Sequence, residues 1–221
     1  MGENTVKILV TGFTPFGGKM INASWEAVKR LPDEVDGVAI CKLEIPTLFG
    51  VSGDIVLEFV RREKPRAVIL VGEAGGRKHI TPERVAINVD DARIPDNNGQ
   101  QPVDRPIVEG AREAYFSTLP VRKIIAAIEA VGVPAQISNS AGTYVCNHIM
   151  YRLLHEANTA EVPFLTGFIH VPYCEEQVTG KDTSAFPLQD ICIGLEAGVR
   201  VVVEAVLEEK YELPKTIGNQ R

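Results

Sequence analysis

The apolar stretch Ala67–Val71 reads AVILV and leads into the glycine-rich segment Gly72–Arg77, which reads GEAGGR. A short, continuous aliphatic run closed by glycine is typical of a strand that is buried on both faces of a parallel sheet. The runs Lys7–Gly12 and Phe164–Val171 have the same character, and helix-patterned segments lie between the three. This alternation predicts an α/β fold with a largely parallel, twisted central sheet and helices on both faces.

Hydrophobic periodicity places the remaining elements. Further strands are predicted at Val38–Ile45, Arg84–Val89 and Ala135–Ser138. Helices are predicted at Ser24–Leu31, Ser52–Arg62, Val121–Val131, Tyr144–Glu156 and Leu188–Lys210. Sites in such folds gather at the carboxyl ends of the strands, and this is where Gly12, Gly72 and His170 fall.

The composition bounds the class of protein. The 221 residues are 45% hydrophobic and 24% charged, without a linker-like segment, which predicts one catalytic domain over residues 1–221 with a flexible tail at 212–221. The net charge of −6 and the lack of a basic stripe disfavour nucleic-acid binding. With neither a signal-like N-terminus nor about 18 consecutive apolar residues, we expect a cytoplasmic protein without membrane association. The cysteine and histidine spacing matches no metal motif, so no metal or other cofactor is expected.

Cys146 lies where the small-residue loop Ser138–Thr143 turns into the helix predicted from Tyr144. Unpaired N–H groups and the partial positive charge of a helix N-terminus favour a thiolate, which is the nucleophilic form of cysteine. The same N–H groups can hold an oxyanion. The alternative is an inert core position, because cysteine is among the most buried residue types.

Two further residues can complete a nucleophilic site. His170 ends a buried strand, and Glu83 follows Thr81 and Pro82. A thiol, an imidazole and a carboxylate at such places indicate a cysteine hydrolase. The pattern alone leaves His170 equally open to a role as a hydrogen-bonded core histidine.

Ordered segments along nearly the whole chain resemble one known family. They are TGFTPFGG at 11–18, GEAGGR at 72–77, PERVAIN at 82–88, DARIPDN at 91–97, SAGTYVCN at 140–147 and FIHVP at 168–172. Together these segments resemble the type I pyroglutamyl peptidases, also called pyrrolidone carboxyl peptidases, which are cysteine peptidases. The resemblance implies removal of N-terminal pyroglutamate from peptides through a thioester acyl-enzyme, and assembly as a homotetramer.

The resemblance also implies the roles of the residues. Cys146 is the expected nucleophile, His170 the general base and acid, and Glu83 the group that orients the imidazole. Asp96 is the rival carboxylate for that last role. Arg93 is expected to help stabilise the oxyanion.

The substrate pocket is likewise implied by the resemblance. Phe13 and Phe16 are expected to line it, and Glu73, Tyr144 and Val145 are further candidate contacts. Two of these residues depart from the family pattern, which more often has Gln or Leu at Glu73 and Phe at Tyr144. If the side chain of Glu73 faces the lactam, affinity or pH dependence is expected to differ.

Two other classes of function remain open from the residues. A nucleoside phosphorylase-like enzyme would use a similar α/β sheet and glycine-rich loops to hold phosphate and ribose, and it would need no thiol. A non-catalytic protein would capture blocked peptide N-termini without cleaving them. Phosphate-dependent release of a free base that survives Cys146→Ser would indicate the first class, and tight binding without an acyl-enzyme in mass spectrometry would indicate the second.

Overall fold

A six-stranded sheet forms the centre of the computed structural model, which describes residues 6–180 and 182–208. Its strands in spatial order are β2 (Glu34–Val35), β3 (Val38–Ile45), β1 (Lys7–Phe13), β4 (Ala67–Glu73), β8 (Leu165–Val171) and β5 (Thr81–Pro82). The four inner strands are parallel, and the short edge strands β2 and β5 are antiparallel to their neighbours. The predicted α/β fold with a largely parallel sheet is confirmed.

Helices cover both faces of this sheet, as predicted. They are α1 (Ala23–Val28), α2 (Val51–Glu63), α3 (Val121–Ala130), α4 (Val145–Thr159) and α5 (Leu188–Leu207). Helices α1, α3 and α5 contribute to one hydrophobic core, and α2 and α4 contribute to the other. Both layers bury apolar side chains against the sheet, which is the main favourable contribution to folding of such a domain.

Side chains along β4 alternate between the two cores. Ile69 and Val71 pack on the side of α5, whereas Val68 and Leu70 pack on the side of α4. Because this period of two continues along the strand, position 72 also faces α4. At the carboxyl end of β4, position 72 therefore faces the N-terminal part of α4 on the same side of the sheet.

Two small sheets lie outside the central one. They consist of β6 (Val85–Ile87) with β7 (Ala114–Phe116), and of β9 (Tyr173–Cys174) with β10 (Ala185–Phe186). The predicted strand Arg84–Val89 is thus present only as β6. The predicted strand at Ala135–Ser138 is wrong, because this segment forms only isolated bridges to Ile80 and Glu83. Pro82 lies between those two bridges and has no N–H to donate, so the ladder is interrupted there.

Two expectations concern the C-terminal region. Helix α5 ends at Leu207, and the predicted flexible tail 212–221 lies outside the described residues.

Within the described ranges, none of the helices combines the length and apolar character needed to cross a membrane.

Candidate active site

The pairing of β4 with β8 brings Cys146 and His170 to one place. Gly72 on β4 pairs with His170 on β8, and paired residues of neighbouring strands lie about 4.8 Å apart with side chains on the same face. A Cβ atom added to Gly72 would lie 3.3 Å from the Sγ of Cys146. The thiol therefore occupies the space above Gly72, on the same face of the sheet as the imidazole of His170.

Cys146 is the second residue of α4, which begins one residue later than predicted. Its N–H group lies in the first turn, where backbone donors have no partner within the helix. Burial, and then the negative charge of Glu83, raise the pKa of the thiol to about 12, although Arg77 and a backbone hydrogen bond act in the opposite direction. Burial therefore opposes the thiolate that the helix N-terminus favours. A base must take the proton.

His170 is placed to act as that base. Its Nδ1 lies 2.7 Å from the Oε1 of Glu83, and since a carboxylate only accepts hydrogen bonds, Nδ1 carries the proton and Nε2 is left as the acceptor. Burial lowers the pKa of His170 even though Glu83 raises it. The imidazole is therefore neutral at physiological pH.

Glu83 is completely buried at the edge of the sheet. Its N–H group donates to the carbonyl of Phe168 at 2.8 Å. Glu83 directly follows β5, and this bond holds it against the neighbouring strand β8. Burial raises the pKa of this carboxyl group, but the hydrogen bonds from His170 and Arg77 hold it below its ordinary value. Glu83 is therefore an anion that orients the imidazole.

Arg77 belongs to this site, although no role was predicted for it. Its NH1 donates to the Oε1 of Glu83 at 2.8 Å and also to the hydroxyl of Thr81. Glu83 Oε1 thus accepts from both His170 and Arg77. The only sequence signal for Arg77 is that it is the one cation of the glycine-rich segment after β4.

Asp96, the rival carboxylate, has a different role. Its two oxygens accept hydrogen bonds from the backbone N–H groups of Phe49, Asn98 and Gln100, each at 2.9 Å. These bonds order the loop that contains Asp96. Of the two candidate carboxylates, the structure pairs Glu83 with the imidazole and Asp96 with loop amides.

Aromatic side chains gather around the first turn of α4. Phe13 is buried at the end of β1, 6.3 Å from the ring of Phe168 between centroids. Phe16, in the loop that follows, is half-buried, and its ring lies 5.6 Å from that of Tyr144. The Tyr144 hydroxyl donates to the carbonyl of Pro95 at 3.0 Å. Phe16 and Tyr144 therefore form an apolar wall two residues from the nucleophile.

Two further predicted site residues are Val145 and Arg93. The side chain of Val145 is wholly buried in the core beneath α4, so only its backbone is available to a ligand. Arg93 is exposed in the loop that the Asp91 N–H holds to the carbonyl of Thr143 at 3.0 Å. Among the described residues, Arg93 has no ion-pair partner.

Glu73 does not present a free carboxylate. Its Oε1 lies 2.6 Å from the Nζ of Lys19, and its Oε2 accepts from the Ala23 N–H at 3.0 Å and from the Gln177 side chain at 2.5 Å. Both oxygens are thus satisfied by protein donors.

This combination of a thiol, a neutral imidazole and a buried carboxylate on an α/β sheet defines a cysteine-dependent hydrolase. Across the described ranges, no group of three His, Cys, Asp or Glu side chains is placed to hold a metal ion.

Comparison with known proteins defines the family. A sequence model described as pyroglutamyl peptidase matches residues 6–209, and the chain belongs to this family. Pyrrolidone-carboxylate peptidases of Alkaliphilus oremlandii and Streptococcus pyogenes are 50% and 49% identical over 200 residues, which cover 90% of this chain and 94% and 93% of those proteins.

Solved structures agree. The crystal structure of Bacillus amyloliquefaciens pyroglutamyl peptidase I has a TM-score of 0.87 at 43% identity and covers 90% of this chain and 97% of that one. A mutant pyrrolidone carboxyl peptidase from Pyrococcus furiosus has a TM-score of 0.86 at 40% identity, covering 90% and 99%.

Proposed function

We propose that this protein is a cysteine exopeptidase that hydrolyses the bond after an N-terminal pyroglutamyl residue. The observation that carries the proposal is the contact between His170 and Glu83 on the same face of the sheet as the Cys146 thiol. The family match and the names of the relatives support the choice of substrate.

The first step forms a thioester. His170 Nε2 takes the proton of the Cys146 thiol while the sulfur attacks the scissile carbonyl. Proton transfer at the moment of attack suits this site, because burial raises the pKa of the thiol and lowers the pKa of the imidazole. The imidazolium that forms faces the anionic Glu83. The N–H of Cys146 and the guanidinium of Arg93 stabilise the oxyanion. The thioester is complete when the oxyanion collapses, the imidazolium of His170 protonates the departing amine and the shortened peptide leaves.

The second step releases the acid. His170 then takes a proton from water, which attacks the thioester and frees pyroglutamate. Glu83 holds the same tautomer through both steps, as the carboxylate of other triads does.

The aromatic wall accounts for selectivity. The pyroglutamyl ring is small and uncharged, and its two methylenes match the apolar faces of Phe13, Phe16 and Tyr144. A proline in the same pocket lacks the ring carbonyl and leaves a buried donor unpaired, which sites of this kind reject by orders of magnitude. A free glutamine or glutamate N-terminus brings an ammonium group that apolar walls desolvate at a cost.

The proposal also covers the remaining expectations. We place the enzyme in the cytoplasm as a homotetramer built from one catalytic domain over residues 1–221. Support comes from the family resemblance and from the four free thiols, Cys41, Cys146, Cys174 and Cys192, which suit a reducing compartment. Light scattering on a sizing column measures the assembly against the 24.1 kDa chain.

Release of a fluorogenic amine from a pyroglutamyl amide tests the activity. We expect turnover that iodoacetamide abolishes, and no turnover by Cys146→Ala. Cys192→Ala, which changes a half-buried thiol on α5, is the matched control and retains activity. Turnover that persists in Cys146→Ala contradicts the proposal. Phosphate-dependent release of a free base would indicate a phosphorylase, and peptide binding without an acyl-enzyme in mass spectrometry would indicate a binding protein.

A further inference from the structure

Glu73 lies at the junction between the nucleophile and the substrate pocket. It is the last residue of β4 and directly follows Gly72, the residue beneath the Cys146 sulfur. Its paired neighbour on β8 is Val171, next to His170. The backbone of Glu73 is therefore part of the carboxyl end of the sheet around Gly72 and His170, which we call the catalytic edge. Any group that the Glu73 side chain binds is held in place relative to that edge.

The partners of the Glu73 carboxylate belong to the segment 14–22, which we call the aromatic loop, and to its surroundings. The carboxylate binds Lys19 in the loop and the N–H of Ala23 just after it. Gln177 donates to the same carboxylate and also to the carbonyl of Ile21 in the loop, at 3.1 Å. Three contacts therefore connect the end of β4 to the loop that carries Phe16.

Lys19 is held on two sides. Its Nζ lies 2.6 Å from Glu73 Oε1 and 3.6 Å from the ring centroid of Tyr173. The side chains of Lys19 and Glu73 are only 31% and 9% exposed, so this pair is screened less than a surface ion pair. Removing one partner leaves the other charge partly buried and unpaired.

Without this pair the aromatic loop has few ties to the sheet. Gly17 and Gly18 have positive φ values of 63° and 76°, and a Cβ atom on either would have no neighbour within 4 Å. The tip of the loop is therefore exposed and unpacked. Its other ties include the Thr14 N–H to the carbonyl of Ile45, Gln177 to the carbonyl of Ile21 and Asn97 to the carbonyl of Pro15.

We propose that the Glu73–Lys19 ion pair is a positioning element that holds the aromatic loop, and with it Phe16, at the distance from the catalytic edge that the lactam ring requires. This inference rests on the proposed function, and it assigns the charged side chain at position 73 to the loop instead of to the substrate. The pair touches neither reacting atom, so it acts on binding of the ring. The charge of Glu73 also raises the pKa of the Cys146 thiol, which sets Glu73→Gln apart from Lys19→Met.

Steady-state kinetics on a pyroglutamyl amide, with 2-pyrrolidone as a competitive probe of the ring pocket, test the proposal. For Lys19→Met and for Glu73→Gln we expect KM and the Ki of 2-pyrrolidone to rise together, about fivefold for a pair of this burial. In Lys19→Met, which keeps the charge of Glu73, we expect kcat and the rate of alkylation by iodoacetamide to stay within about twofold of wild type. Lys19→Arg keeps the charge and restores most of the affinity.

Lys7→Met is the matched control, because it removes a similarly exposed ion pair, with Glu63 at 2.7 Å, on the opposite side of the fold from the catalytic edge. The double variant Lys19→Met with Glu73→Gln is expected to lose less than the sum of the two single variants, as interacting partners do. Unchanged KM and Ki in both single variants, with melting temperatures that show a folded protein, overturn the inference. So does a loss of kcat that parallels a loss of alkylation rate. Inactive wild-type enzyme would instead overturn the proposed function.

Discussion

Gly72 lies so close to the catalytic side chains that the addition of one methyl group at this position should disturb both of them. An added Cβ atom would lie 2.5 Å from Cζ and 2.8 Å from Cε1 of Phe168, and 3.3 Å from Cys146 Sγ. Carbon atoms in contact prefer about 3.5–4.0 Å, so in Gly72→Ala the ring must move by roughly 1 Å. The Phe168 ring is 4.6 Å from that of His170 between centroids, and the movement is transmitted to the imidazole.

Two magnitudes follow from this contact. Overpacking of a core by one methyl group costs about 1–3 kcal/mol, which lowers the melting temperature of a chain of this length by roughly 2–12 °C. A displacement of about 1 Å between reacting groups lowers the rate by roughly 10²-fold. We therefore expect Gly72→Ala to fold, to melt earlier and to lose about two orders of magnitude in kcat/KM.

The assay is hydrolysis of a pyroglutamyl amide, with thermal melting measured on the same samples. Gly198→Ala in α5 is the control, because its added Cβ atom meets Ile124 at 3.2 Å and lies far from the thiol along the chain and on the opposite face of the sheet. Adding Phe168→Leu to Gly72→Ala removes the ring and should recover part of the activity. A Gly72→Ala enzyme within about threefold of wild-type kcat/KM would refute the reasoning, since the sulfur could not then lie above this glycine.

Four other changes probe the carboxylates and their surroundings. The charge of Arg77 lowers the pKa of His170 and of the Cys146 thiol. In Arg77→Met both pKa values should therefore rise, and both limbs of the pH profile of kcat/KM should move to higher pH. An acid limb that does not move contradicts this prediction. Glu83→Gln should lower kcat by about 10²–10⁴-fold, whereas Asp96→Asn, measured in the same assay, should keep the wild-type pH profile and lose stability. Tyr144→Phe removes the bond to the loop carbonyl, and denaturant unfolding should show a loss of about 1 kcal/mol without an equal loss of activity.

The elements that depend on local sequence could be predicted. The strand expected at Val38–Ile45 is β3 with the same bounds, and the helix expected from Tyr144 begins one residue later. Both follow from hydrophobic periodicity within a single segment. Strand β5 was missed, because it is two residues long and contains a proline, and it exists only through its pairing with β8.

The same distinction applies to the site. Cys146 and His170 were identified from their places at a helix start and a strand end, together with the family resemblance. The choice between Glu83 and Asp96 could not be made from the residues, because neither carboxylate lies within a predicted helix or strand. The antiparallel pairing of β5 with β8 makes that choice, and it also brings Arg77 to the same oxygen of Glu83.

The ionisation state of the thiol shows why position in a helix does not by itself determine chemistry. A helix N-terminus contributes about 0.3–1 kcal/mol towards an anion at an exposed site, which is less than one unit of pKa. Burial of Cys146 and the nearby charge of Glu83 act against the anion and raise the pKa by more than that. The carboxylate that disfavours the thiolate also stabilises the imidazolium of His170. These opposing effects favour formation of the ion pair by proton transfer during attack.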